Sequence, residues 1–267
     1  MTEAETLVEL LIASRKADRY IGYLETETVE RRVSYAQLHE RALGILRRLQ
    51  RLGLSRGDHL IIFLNNNEAF VDGFWAAIAG GIVPVPLAVG ISDEHRFKLL
   101  RIARQLGQPW LYTDLKAIGR LAEFAEEQGE QAAFEQLRAR AFLIDDLEDV
   151  GRAADPVSAR PGDTAFIQYS SGSTSDPKGV VLTHRNVLAN ARGVTKAAGF
   201  NDRDVAVSWM PLTHDMGLIG FHLTPFLADV AHYLMPTALF VRRPQLWLAK
   251  ASEKKASVLC SPNFGYR

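Results

Sequence analysis

Cysteine is nearly missing from this sequence. Cys260 is the only one in 267 residues, so no disulfide can close within the chain. That scarcity fits a reducing compartment, and a cytoplasmic protein is expected. An excess of either charge is missing too: Lys plus Arg and Asp plus Glu each number 31. A chain with no formal net charge carries no electrostatic footprint for nucleic acid or an anionic membrane, so neither is expected as a partner. The N-terminus, Met1-Thr2-Glu3-Ala4-Glu5, lacks the basic segment and apolar stretch of a signal peptide. One uncharged run, residues 74–91, approaches the length of a membrane span, but Gly80-Gly81, Pro84, Pro86 and Gly90 break it repeatedly. It reads as a buried helix end, a glycine turn and a short strand, so no integral membrane segment is expected. The H-E-x-x-H and clustered Cys/His patterns of zinc sites are absent, as is the G-x-S-x-G elbow of serine hydrolases.

What is present is a globular composition. Apolar residues make up 47% of the chain, enough for a substantial core in one large domain or two small ones. Ser34 and Gln37 form a capping-box pattern, and Leu38, Ala42, Ile45, Leu46 and Leu49 then fall on one helical face that ends at Gly53. Strands are expected at 59–64, 82–83, 110–112, 141–144, 205–209, 232–234 and 257–260. Helices are expected at 68–79, 93–107, 115–140 with a break near Gly129, 184–199, 218–227 and 244–256. Residues 145–162 read as an exposed connection. Strands alternating with helices imply an α/β fold of mainly parallel sheets covered by helices.

The most informative stretch is Tyr169-Ser170-Ser171-Gly172-Ser173-Thr174-Ser175-Asp176-Pro177-Lys178-Gly179. Apolar residues 164–169 precede it and Val180-Val181-Leu182 follow, which reads as strand, polar loop, strand. Small side chains leave backbone N–H groups free to converge on an anion, hydroxyls add donors, and Lys178 supplies a point charge suited to phosphate. The loop is not a Walker A motif, because Gly179 follows the lysine and a strand follows Gly179.

A second constellation is Trp209-Met210-Pro211-Leu212-Thr213-His214-Asp215-Met216-Gly217-Leu218-Ile219-Gly220, between a strand and a helix. Strand C-terminal ends carry the sites of parallel α/β sheets, so His214 and Asp215 would share an edge with the polar loop if both strands belong to one sheet. Arg242 and Arg243 read as a solvated pair before a helix opened by Pro244 in preference to a phosphate or pantetheine site.

These blocks in order resemble the adenylate-forming (AMP-binding) superfamily of acyl-CoA synthetases, peptide-synthetase adenylation domains and luciferases. Residues 169–179 are similar to its phosphate loop, T-S-G-S/T-T-G-x-P-K-G, with Ser175 in place of the usual second glycine. Ser34-Tyr35-Ala36-Gln37-Leu38 and Thr183-His184-Arg185-Asn186 resemble further family blocks. The His214-Asp215 block, Arg243-Pro244-Gln245-Leu246-Trp247-Leu248 and Ser261-Pro262-Asn263-Phe264-Gly265-Tyr266 look most like the fatty acyl-AMP ligases.

The resemblance implies the N-terminal part, residues 1–267, of an AMP-binding adenylation domain, inactive by itself. It implies activation of a fatty acid or related carboxylate by ATP as an acyl-adenylate, with Mg²⁺, and loading onto an acyl carrier protein. Ser170, Ser171, Gly172, Ser173 and Thr174 would cradle phosphates, Thr174 near the metal, with Lys178 screening charge. His214 and Asp215 would lie near the acyl carboxylate, and Met216, Gly217 and Phe264 would line the acyl channel. An acyl-CoA synthetase, an amino-acid adenylation domain, an inactive acyl- or partner-binding module and a hydrolase are the other readings.

Overall fold

The computed structural model describes residues 3–90, 92–146, 153–169 and 177–266. Along the chain run α1 (Leu7–Ser14), β1 (Tyr20–Leu24), β2 (Glu30–Ser34), α2 (Tyr35–Arg51), β3 (His59–Ile62), α3 (Asn67–Ala79) and β4 (Val83–Pro86). There follow α4 (Asp93–Gln105), β5 (Trp110–Thr113), α5 (Leu115–Gln128), α6 (Gln131–Arg138), β6 (Ala141–Leu143), β7 (Thr164–Tyr169), β8 (Gly179–Thr183) and α7 (His184–Ala198). The last elements are β9 (Val205–Ser208), a π-helix (Met216–Leu223) running into α8 (Thr224–Leu227), β10 (Ala231–Leu234), α9 (Thr237–Arg242) and α10 (Pro244–Glu253). Contacts divide the chain into one unit of residues 1–40, 160–162 and 184–267 and a second of 41–159 and 163–183. The division falls within α2. Among the described residues no helix is long and apolar enough to cross a membrane.

The first unit holds a sheet in the order β2-β1-β10-β9, parallel except for the β1–β2 pair. The capping box forms as read: the Ser34 N–H donates to Gln37 Oε1 at 2.8 Å and the Gln37 N–H to Ser34 Oγ at 3.1 Å. Gly22 sits opposite Tyr233, and a Cβ there would come within 2.1 Å of the tyrosine ring, so the glycine leaves the space that the ring fills. Behind the sheet lies a buried polar chain. His222 Nδ1 is 3.0 Å from His232 Nε2, His232 Nδ1 is 3.3 Å from the Tyr35 hydroxyl, and that hydroxyl donates to the Val230 carbonyl at 3.0 Å.

In the second unit β4-β3-β5-β6 form an all-parallel sheet. Its core includes Ile61, Val85, Leu99, Leu111, Leu121 and Phe124. Asn66 and Asp114 cap the starts of α3 and α5, accepting from the Ala69 and Ala117 N–H groups at 2.9 and 2.7 Å. Gly129, at φ 71°, separates α5 from α6, a left-handed conformation that glycine adopts without a Cβ clash. The guanidinium of Arg41 pairs with Glu68 and Asp72, one turn apart on α3 and both largely buried. In β4 the N–H groups of Val83 and Leu87 donate to Asp58 and Ile62, so Pro84 and Pro86 occupy the alternate positions that face away from β3. β7 and β8 pair as an antiparallel hairpin, with β7 packed beside β4.

Several sequence expectations are corrected. The strands before the two constellations do not share a sheet: β7 pairs with β8, whereas β9 pairs with β10. Residues 257–260 make a single parallel bridge, Ala206 to Val258, in place of a strand. The helix expected at 218–227 begins at Met216 and is π-helical until Leu223. The connection at 145–162 is not wholly exposed, because Ala154 is buried and the Val157 N–H donates to the Ala79 carbonyl at 2.8 Å.

The histidine chain predicts a pH dependence. Burial holds His222 well below the usual histidine range and lowers His232 to about 4. An unfolded histidine titrates near 6.5. Between those values the unfolded chain binds protons that the folded chain refuses, so stability falls as pH drops from about 6.5 to about 4. For His232 alone the loss approaches about 3 kcal/mol. Urea midpoints should therefore fall over this range. The double change His222→Phe and His232→Phe should flatten the fall, whereas an unchanged slope in that variant would count against the assignment.

Candidate functional site

β9 ends at Ser208, and the following segment is pinned on both sides. The Met235 N–H donates to the Ser208 carbonyl at 2.8 Å, the Ser208 hydroxyl accepts from the Met210 N–H at 3.1 Å, and the Thr237 hydroxyl donates to the Trp209 carbonyl at 2.9 Å. Trp209 is buried and stacked face to face on Phe240, with ring centres 3.8 Å apart. Trp247 closes the cluster edge-on and donates its indole N–H to the Val207 carbonyl at 3.2 Å. This aromatic anchor was not singled out as part of the site from the sequence. The three rings are spread over residues 209–247, and only the packing of α9 and α10 brings them together.

From that anchor the chain turns, with the His214 N–H donating to the Pro211 carbonyl at 3.0 Å, and enters the π-helix. Asp215 caps it, accepting from the Met216 N–H at 2.7 Å. His214 Nδ1 lies 2.6 Å from Asp215 Oδ1, and both side chains are exposed. Nδ1 also lies 3.3 Å from the Met216 nitrogen, a contact in which it would accept; a proton on Nδ1 is instead shared with the carboxylate and leaves Nε2 as an acceptor in the neutral ring and a donor in the charged one. The wide turn is completed at its far end, where the Thr224 hydroxyl donates to the Ile219 carbonyl at 2.7 Å. Met216 is 39% exposed and Phe264 64% exposed. Phe264 lies in a turn with its ring centre 5.9 Å from that of Trp209.

Gly217 is buried, and its constraint is backbone approach. A Cβ there would stand 2.1 Å from the Pro211 carbonyl oxygen and 2.6 Å from its carbon. No side-chain rotation relieves that contact.

In the second unit the pairing of Tyr169 with Gly179 holds the two ends of the Ser/Gly loop side by side. Lys178 is exposed just before β8. Ser170, Ser171, Gly172, Ser173 and Thr174 lie outside the described residues. Of the expected site residues, the structure therefore gathers His214, Asp215, Met216 and Gly217 into one turn, with Phe264 against the same tryptophan. The Ser/Gly loop and Lys178 belong to the other unit. Among the described residues no group of three His, Cys, Asp or Glu could hold a metal ion. Arg242 and Arg243 are exposed before the proline-started α10, and Arg243 pairs with Glu27.

These features, parallel sheets covered by helices with a hydroxyl-rich loop framed by a hairpin, define an α/β protein of the adenylation-domain class. The chain belongs to the AMP-binding enzyme family, whose profile matches residues 13–265. It is 35% identical over 249 residues to a Caulobacter vibrioides protein assigned provisionally as an acyl-CoA synthetase, covering 91% of this chain and 42% of that one. The adenylation domain of a keto acid-selecting nonribosomal peptide synthetase module, solved with keto acyl adenylate, superposes with a TM-score of 0.87. It is 31% identical, over 98% of this chain and 49% of that one. The fatty acid AMP ligase of Legionella pneumophila superposes with a TM-score of 0.88 at 27% identity, covering 99% of this chain and 45% of that one. The chain thus spans less than half the length of each of these proteins.

Gly217→Ala should destabilise the fold by about 1–3 kcal/mol, because the added methyl meets the Met210 and Pro211 backbone in a buried turn. The urea midpoint should fall with an unchanged slope. A midpoint equal to that of the parent would show that the turn can open at no cost.

Proposed function

We propose that this chain forms part of an enzyme that activates a fatty acid or related carboxylate as its acyl-adenylate, releasing pyrophosphate from ATP, and passes the acyl group to a carrier protein. The observation that carries the reading is the loop 170–178, framed by the Tyr169–Gly179 pair, within a chain of the AMP-binding family. The acyl class rests on the resemblance of the His214-Asp215 block to fatty acyl-AMP ligases, and similarity to one such ligase of known structure supports it.

The chemistry sets a clear demand. A carboxylate that attacks a polyanionic phosphate chain meets charge repulsion, and donors aimed at the leaving phosphates relieve it. The loop's backbone N–H groups, the hydroxyls of Ser170, Ser171, Ser173 and Thr174, and the charge of Lys178 supply donors of the required kind. Bound magnesium would add charge neutralisation, with Thr174 as the loop hydroxyl assigned to its neighbourhood. The Asp215 carboxylate holds the His214 ring by Nδ1, and in the doubly protonated ring the Nε2–H donates to the carboxylate substrate. Met216 and Phe264, both apolar and partly exposed, are assigned to the acyl chain. Gly217, pressed against backbone, is assigned to the same channel as the residue that lets the turn close.

Fatty-acid-dependent exchange of pyrophosphate into ATP by the parent protein tests the reading. Exchange supported by amino acids or keto acids but by no fatty acid would reject the acyl class. Acyl transfer to coenzyme A with none to a carrier would reject the acceptor. Thr174→Val keeps the branched shape and deletes the hydroxyl, and it should lower adenylation about ten- to a thousand-fold. Unchanged turnover in a folded variant would exclude the hydroxyl from the reaction.

A further inference from the structure

The second unit carries a cavity that the proposed reaction does not use. It is a partly open cleft of about 370 Å³ near the starts of β5 and β6, bounded by the C-terminal half of α4, by α6 and by the turn at Gly107. That volume is at the lower end for small-molecule sites, which run from about 300 to 1,000 Å³. In parallel α/β sheets catalytic sites gather at the opposite, C-terminal ends of the strands.

Two cations line it, and they differ. Arg104 is paired with the carboxylate of Glu130. Arg140 has no carboxylate partner among the described residues. Its Nη1 donates to the neutral Gln108 amide oxygen at 3.3 Å, and its guanidinium lies 4.4 Å over the face of the Trp110 ring. Its Nε–H is buried with no acceptor. The guanidinium is thus held in orientation by stacking while its charge goes uncompensated. Beside it the wall is apolar, formed by Leu100, Ala103 and Leu137.

We propose that this cavity binds a small organic carboxylate, with its oxygens on the Arg140 guanidinium and its apolar body against Leu100, Ala103 and Leu137. One uncompensated positive charge matches a monoanion. A planar guanidinium suits the two oxygens of a carboxylate, and the apolar wall favours an organic acid over an inorganic ion. With a single charge-assisted contact and little apolar area, the affinity should lie near about 1 mM.

Benzoate is the probe, and Trp110 is the reporter. The chain has four tryptophans, so labelling with 5-fluorotryptophan gives a resolvable ¹⁹F spectrum in which Trp110→Phe identifies the reporter. No ATP or fatty acid is added, so the outcome is independent of the adenylation reading. The Trp110 resonance should shift saturably with benzoate and far less with benzyl alcohol, which keeps the ring and lacks the charge. Arg140→Gln should weaken the benzoate response by about tenfold or more. A resonance that does not move, or that moves equally with benzyl alcohol or in Arg140→Gln, overturns the proposal. If Arg140→Gln fails to fold, seen as collapse of the other three resonances, Ala103→Leu decides the matter. It puts an isobutyl group on the wall against which the ring would pack and leaves Arg140 in place, so a benzoate response retained there at full strength overturns the proposal equally.

Discussion

Backbone hydrogen bonding within parallel sheets is the constraint on which this structure depends. β3, β5, β9 and β10 are buried almost throughout, so their N–H and C=O groups must be satisfied by neighbouring strands and by little else. Parallel neighbours cannot be joined by tight turns, so each connection crosses over through a helix. α3 and its Asn66 cap, α5 and its Asp114 cap, and the segment from β9 to β10 are consequences of that requirement. The crossover from β9 to β10 is the one that carries His214 and Asp215. Its π-helical turns are tied at one end to Asp215 and at the other to Thr224, so the exposed histidine rests on a buried frame.

How much of this was legible in the sequence follows from how local each signal is. The capping box at Ser34, the buried face of α2 and the glycine break at Gly129 are set within a few residues of themselves, and each forms where expected. β2 was not read because Glu30-Arg31-Arg32 is polar: its strand lies at the sheet edge, paired on one side only, so no apolar pattern marks it. α1 and β1 also went unread. The π-helix was read as an α-helix because an extra residue per turn leaves no compositional trace, and Met216-Gly217-Leu218-Ile219 is apolar in either geometry. Sheet membership is the least local property of all. The placement of β7 and β9 in separate sheets depends on partners scattered along the chain.

For the candidate site, the identity of the residues was legible and their mechanical roles were not. His214 and Asp215 were singled out as a pair, and the structure adds that they are bonded to each other and exposed. Gly217 was read as room for an acyl chain, whereas its measurable constraint is the carbonyl of Pro211. The Trp209, Phe240 and Trp247 cluster, which fixes the whole turn, gives no sequence pattern because its members come from three elements. The loop 170–176 rests on its sequence and on the hairpin that frames it.

The prolines of β4 have a consequence for where one sheet stops and the next begins. Parallel sheets end in edges, and an edge with free N–H groups is a template on which another chain can add a strand. Pro84 and Pro86 stand at the outward-facing positions of β4 and have no N–H to offer. β7 lies beside that edge and finds acceptors without donors, and no ladder joins it to β4 among the described residues. The same two residues that break the apolar run as a membrane span thus end the parallel sheet at β4 and leave β7 to pair with β8.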